Sequence, residues 1–334
     1  MALGRPEAPN AYHPAMRAVA RFRLAWIALV VALGVVAACA GPAPRPSAVV
    51  DRAWASVAAA PVALTEVAVA AHGGRIWVAG GLHSDGAASD AVYVFDPGRD
   101  EWTTGPSLPG PVHHAALVST GSALLLLGGY APNDATATVR RLDDGATAWV
   151  DDVPLPGPRG AGAAAFDGSR VVFAGGVGPG GVASEVLALE AGAWQRIGRL
   201  SRAREHLAAT SDGAGRTFVL GGRVGGLQNN LGTADLIEGR SVTAIGTLPT
   251  ARGGVGAFLV PSLGACLAGG ESPGGTNPQV ECIDAAGTVS VLPDLAVARH
   301  GVGAAVVDGT AYVVLGGRQP GLFTSDVTER LPLP

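Results

Sequence analysis

Short apolar runs, each closed by a glycine doublet, recur along this chain of 334 residues. The doublets are Gly80-Gly81, Gly128-Gly129, Gly175-Gly176, Gly221-Gly222, Gly269-Gly270 and Gly316-Gly317, spaced 48, 47, 46, 48 and 47 residues apart. The runs they close, IWVAGG, LLLLGG, VVFAGG, TFVLGG, ACLAGG and YVVLGG, are of strand type and too short for helices. Each repeat holds further strand-like segments. In the third, AGAAAF (161–166) precedes VVFAGG, and EVLALE and AWQRIG follow, giving four strands per repeat with small residues in the first.

A second signal runs in register. Trp54, Trp102, Trp149 and Trp194 precede the next doublet by 26, 26, 26 and 27 residues, and Val242 and Val289 hold that place in the last two repeats. This period, with its doublets and phased tryptophans, resembles the kelch repeat of the galactose oxidase and kelch-like superfamily over residues 52–334. The resemblance implies an all-β, six-bladed β-propeller with four antiparallel strands per blade. Only one strand is available after Gly317, around Leu322 to Leu331, and one is spare at the start, Ala53 to Ala58 with Trp54 in outermost-strand register. The N-terminal strand is therefore expected to complete the C-terminal blade, leaving no long edge open.

The first 38 residues read as a signal peptide rather than as part of the fold. Arg17, Arg21 and Arg23 precede the apolar run Leu24 to Ala38, and Val36-Ala37-Ala38-Cys39 resembles the lipobox of bacterial lipoproteins. That resemblance implies lipidation at Cys39, a Pro/Ala-rich linker over 39–50 and a propeller over 51–334, on the extracytoplasmic side of a membrane. An uncleaved anchor helix is the alternative, although 15 apolar residues are few for a span that needs about 20.

Removing 1–38 takes away four Arg and one Glu, leaving 19 basic and 26 acidic residues, a net charge of −7. Such a surface does not attract nucleic acid. No lysine occurs among the 23 basic residues, which excludes Schiff-base, pyridoxal-phosphate and P-loop lysine chemistry. Besides Cys39 the mature chain keeps Cys266 and Cys282, on the second and third strands of the fifth repeat. They form either a disulfide or two buried thiols, a choice that one residue of register decides. Gly176 to Gly181 has dinucleotide-binding spacing but leads into a strand, so no helix N-terminus awaits a phosphate. No cofactor is expected, and a monomer is.

Candidate ligand residues follow from the phase. Arg159, Arg204, Arg252 and Arg299 each lie ten residues after the outermost-strand position, on the face where loops gather round the channel. His113, His114, Glu205, His206 and His300 fall within two positions of that row, and Tyr130, Arg223, Glu271 and Arg318 directly follow doublets. Converging arginines would trap a carboxylate or phosphate. The competing role is structural, because kelch repeats commonly carry Arg here as a brace for the inter-blade loop. No metal site is expected, since the adjacent His113 and His114 should project to opposite faces of a strand. The copper site of galactose oxidase needs a Tyr-Cys crosslink that has no place here.

The favoured reading is a non-catalytic binding scaffold for a glycan, an anionic small molecule or a protein partner. The alternative is a carbohydrate mutarotase. Resemblance to the six-bladed kelch mutarotases of sialic acid would then give Glu205, Arg204 and His206 the proton-transfer and carboxylate-binding roles.

Overall fold

The computed structural model describes residues 53–131 and 133–334; the signal peptide, the linker and Cys39 lie outside them. The described residues form a six-bladed propeller whose blades are four-stranded antiparallel sheets. In chain order the innermost strands are Ala68–His72, Ala116–Ser119, Ala163–Phe166, Ala208–Ser211, Gly256–Val260 and Gly303–Val307. Alanine and glycine dominate them because six strands crowd round one axis, where larger side chains would collide. Blade 3 is typical: Ala163–Phe166 pairs with Val171–Ala174, then Glu185–Glu190, then Ala193–Arg199. In blade 6, Gly303–Val307, Thr310–Val314 and Thr328–Pro332 are completed by Ala55–Ser56, with Ala55 opposite Arg330 and Ser56 opposite Glu329. The strand expected around Leu322 to Leu331 starts later, at Thr328, because Pro320 and Gly321 keep the chain in a turn that exposes Leu322 and Phe323.

The core is a set of apolar layers between neighbouring blades. Ala68 and Ala79 of blade 1, for example, pack with Leu117, Leu124, Leu126 and Leu142 of blade 2. The tryptophans staple the rim. Trp54, Trp102, Trp149 and Trp194 donate their indole N–H to the carbonyls of Pro293, Ala58, Pro106 and Val153, each just past the preceding blade's outermost strand, at 2.8–3.0 Å. Val242 and Val289 have no such donor.

Glycine is required where blades meet at the inner end. Gly128 adopts φ +61°, and a Cβ there would lie 2.2 Å from the Arg159 carbonyl oxygen of the next blade. The following amide, on Gly129, donates to that same oxygen at 2.8 Å. The doublet thus fits a backbone-to-backbone contact that no side chain allows. Cys266 and Cys282 stand directly opposite one another in blade 5, fully buried, and their sulfurs are bonded. The spacing of Gly176 to Gly181 builds a small hairpin, Val177–Gly178 with Gly181–Val182.

Candidate functional site

Three consecutive residues lead into each innermost strand, and the three have different fates. Arg204, Arg252 and Arg299 occupy the first of these places and are fully buried, at 0% exposure. Arg204 Nη1 donates to Asp235 Oδ2 at 2.7 Å, Arg252 Nη1 to Glu281 Oε2 at 2.5 Å and Arg299 Nη2 to Glu329 Oε2 at 2.6 Å. Each acid sits on the third strand of the same blade, opposite Val219, Leu267 or Val313. The carbonyls of those three residues accept from the same guanidinium groups. Burial pulls the arginine pKa values down and the facing carboxylates oppose it. Arg159 is half-buried, turned to Glu185 Oε2 at 3.3 Å and to the Pro158 carbonyl.

For three of the four expected anion-trapping arginines the expectation is therefore corrected. Arg204, Arg252 and Arg299 brace the blade interior and present no guanidinium to the channel mouth, because a buried cation must be matched at close range by an acid and by carbonyls. The same burial removes Arg204 as a carboxylate binder for a mutarotase. Its signal is in the sequence: an acid follows each buried arginine by 31, 29 or 30 residues in blades 4, 5 and 6. Blades 1 and 2 carry Leu64 and Val112 in the arginine's place.

Two residues further along come Glu66, His114, Ala161, His206, Gly254 and Gly301, one per blade. All six are left-handed, with φ of +53°, +52°, +53°, +51°, +66° and +59°. Their backbones close a hydrogen-bonded ring round the axis. His114 donates to Glu66 (3.1 Å), Ala161 to His114 (2.9 Å), His206 to Ala161 (2.9 Å), Gly254 to His206 (3.0 Å), Gly301 to Gly254 (2.7 Å) and Glu66 to Gly301 (2.9 Å). Glu66 is absent from the sequence expectations, although it lies 12 residues after Trp54 as His114 lies 12 after Trp102.

The side chains of this ring and its neighbours converge over the channel. One ligating atom from each of Glu66, His114 and His206 lies within 4.8 Å of the other two. His114 Nε2 stands 3.2 Å from Glu66 Oε2, and His300 Nδ1 stands 3.4 Å from Glu66 Oε1 and 3.6 Å from Glu271 Oε2. Arg223 joins Glu205 at 3.2 Å to Glu271 at 2.5 Å, and the Glu205 carboxylate touches the His206 ring. Tyr130 stacks on His113, centroids 5.3 Å apart, and Arg318 is exposed. His113 and His114 meet, with centroids 4.7 Å apart, instead of parting to opposite faces. The left-handed turn at His114 breaks the alternation that holds only for extended backbone.

Electrostatics divides the cluster. Burial alone would raise the Glu66 carboxyl, but His114, His300 and His206 outweigh it and hold it far below the usual carboxylate range. Burial lowers His114 against the pull of Glu66, and it lowers His206 further. For His300 burial also lowers the pKa, yet Glu66 and Glu271 win and the net shift is upward. Behind the ring lies a channel cavity of about 120 Å³, walled by the small residues of the innermost strands.

Comparison with known proteins bears on the repeat more than on the site. A Kelch motif matches residues 63–109. Kelch-like protein 35 of Mus musculus is 34% identical over 76 residues, 23% of this chain and 13% of that protein. Kelch-like protein terF of Aspergillus terreus is 27% identical over 254 residues, 70% of this chain and 45% of that protein. The chain thus spans less than half the length of these curated relatives. The solved structure of YjhT superposes with a TM-score of 0.70 at 13% identity, covering 81% of this chain and 95% of that one, which shows a shared fold. The matched motif and the kelch-like relatives support a kelch-repeat family for this chain.

Proposed function

We propose that this chain is an exported, lipid-anchored propeller that acts as a non-catalytic binding scaffold and takes a small, hydroxyl-rich ligand, the end of a glycan, at the axial mouth. The observation that carries this reading is the convergence of buried polar groups without hydrogen bonds. Glu271 Oε2 is buried without a hydrogen-bond partner, and His300 Nδ1 reaches only to 3.4 Å from Glu66 Oε1 and 3.6 Å from that Glu271 oxygen. Buried polar atoms are normally satisfied, so a cluster that is not marks a place where a ligand or ordered water completes the set. Carboxylates of Glu205 and Glu271 accept from hydroxyls, Arg223 and His300 donate, and the Tyr130–His113 stack offers a flat face at the rim. A neutral polar ligand suits this mixture of charges better than an anion, because three glutamates accompany Arg223 and His300.

The full-length chain in detergent, titrated calorimetrically with neutral, acidic and amino sugars, tests this. One sugar class should bind, and Arg223→Ala or Glu271→Gln should weaken it by about 1–3 kcal/mol. Binding that ignores both substitutions would remove the site. Export is supported by the bonded, buried Cys266–Cys282 pair, since such bonds persist in oxidising compartments. Cys39→Ser should abolish the membrane-bound form on fractionation; wild-type protein held by an intact Leu24 to Ala38 helix would overturn lipidation.

A further inference from the structure

We infer that Glu66, His114 and His206 form a site for one divalent transition-metal ion of the Zn²⁺ class at the mouth of the central channel. The inference deepens the reading of the axial cluster as a ligand site and rests on it. Two imidazoles and one carboxylate are a donor set that zinc and related ions take while keeping positions open to water or ligand. Their three ligating atoms already lie within 4.8 Å of one another. Bonds of about 2.0–2.2 Å put tetrahedral ligands about 3.4 Å apart, so side-chain rotation over roughly an ångström closes the site.

The backbone supplies an independent reason. Every place in the axial ring is left-handed, a conformation that glycine adopts without penalty and other residues adopt at about 1–2 kcal/mol. Blades 5 and 6 use Gly254 and Gly301 there; at Gly301 a Cβ would fall 2.3 Å from Thr65 Oγ1. Blades 1, 2 and 4 keep Glu66, His114 and His206 in the same strained geometry, with side chains lining a cavity. Ala161 of blade 3 is strained alike and carries no donor, but the three longer side chains held at equivalent positions are all metal-ligating and meet over one cavity.

The surrounding groups aim the donors. His113 Nδ1 lies 2.5 Å from His114 Nδ1, so His114 turns Nε2 toward Glu66. Glu205 contacts His206 Nδ1 and is itself held by Arg223 Nε, leaving Nε2 as the other nitrogen of that ring. A carboxylate on the far nitrogen, as Glu205 is for His206, is how ligating histidines are oriented. The cavity of about 120 Å³ has room for an ion and a few waters.

The experiment uses the full-length chain, without a histidine tag, stripped with chelator and titrated with Zn²⁺ by calorimetry, with Co²⁺ absorption as a coordination probe. One Zn²⁺ per chain is expected. His114→Gly and His206→Gly should each weaken it by about 100-fold or more, and Glu205→Gln by about tenfold. Glycine fits the left-handed backbone, so both histidine variants should keep the wild-type melting temperature, which separates lost ligation from lost folding. His72→Ala, at the other end of an innermost strand from Glu66, should bind as wild type. No stoichiometric binding, or binding that survives His206→Gly, overturns the inference. A stripped chain that binds a sugar through Arg223 and Glu271 yet takes no Zn²⁺ overturns the metal and leaves the ligand reading standing; failure of both removes both.

Discussion

Arginines and axial residues stand two positions apart in the same loop, yet one row is structural and the other faces a cavity. Arg204, Arg252 and Arg299 each meet one acid on their own blade, Asp235, Glu281 and Glu329, and each pair is sealed from solvent. Glu66, His114 and His206 come from three blades and meet one another across the axis, with His300 and the unbonded Oε2 of Glu271 beside them. Charge matched within a blade stabilises that blade. Polar groups gathered from several blades, and left incomplete, are available to something else. The lesson is that phase within a repeat does not by itself assign a role; the direction the backbone takes at that position does.

The largest effect that could break this comparison is expected at the arginine row. Arg252→Ala leaves the Glu281 carboxylate buried without its cation and should cost about 3–5 kcal/mol. Replacing both partners, Arg252→Met with Glu281→Leu, should recover most of that loss, since an apolar pair of similar volume needs no desolvation. Urea unfolding of the three proteins measures both, and sugar or Zn²⁺ affinity in the folded fraction should stay at the wild-type level. An Arg252→Ala protein of unchanged stability but lost affinity would reverse the assignment of the two rows.

A smaller effect tests the outer rim, where bracing comes from tryptophan rather than arginine. Trp149→Phe keeps the ring in the layer between blades 1 and 2 but deletes the indole bond to Pro106, and should lower stability by about 1 kcal/mol. The equivalent change at Val242, to Phe, removes no such bond. Equal destabilisation of the two would show that the staple contributes nothing beyond apolar packing.

The smallest stability change belongs to the axial row. His206→Gly relieves a left-handed histidine at φ +51° but adds freedom to the unfolded chain, and the two opposing terms should leave stability within about 1 kcal/mol of wild type. Thermal melting checks it. A loss comparable to that of Arg252→Ala would make His206 a structural residue and erase the contrast between the rows.

Much of the fold is legible as period. Six doublets and four phased tryptophans state the number of blades and the place of the outermost strand, because each mark answers a local demand repeated at every blade: a backbone contact with no room for Cβ, and an indole reaching the neighbouring blade. The arginine pairs were legible too, through the acid that follows each buried arginine by about 30 residues, but only once both ends are known to face one interior. Glu66 illustrates the limit. In sequence it is one glutamate after a threonine, and its 12-residue offset from Trp54 acquires meaning when His114 and His206 share that offset.

The sequence by itself determined the repeat, the strand count and the positions at which glycine is obligatory, since these depend on contacts repeated at a fixed interval. It did not determine that His113 and His114 touch, or that Cys266 faces Cys282, which turn on one residue of register or one left-handed φ. Above all, only ring closure brings residues 66, 114 and 206 within 4.8 Å of one another, because they lie some 48 and 92 positions apart and share no local interaction. Their proximity is a property of the axis, and the axis exists only when all the blades are in place.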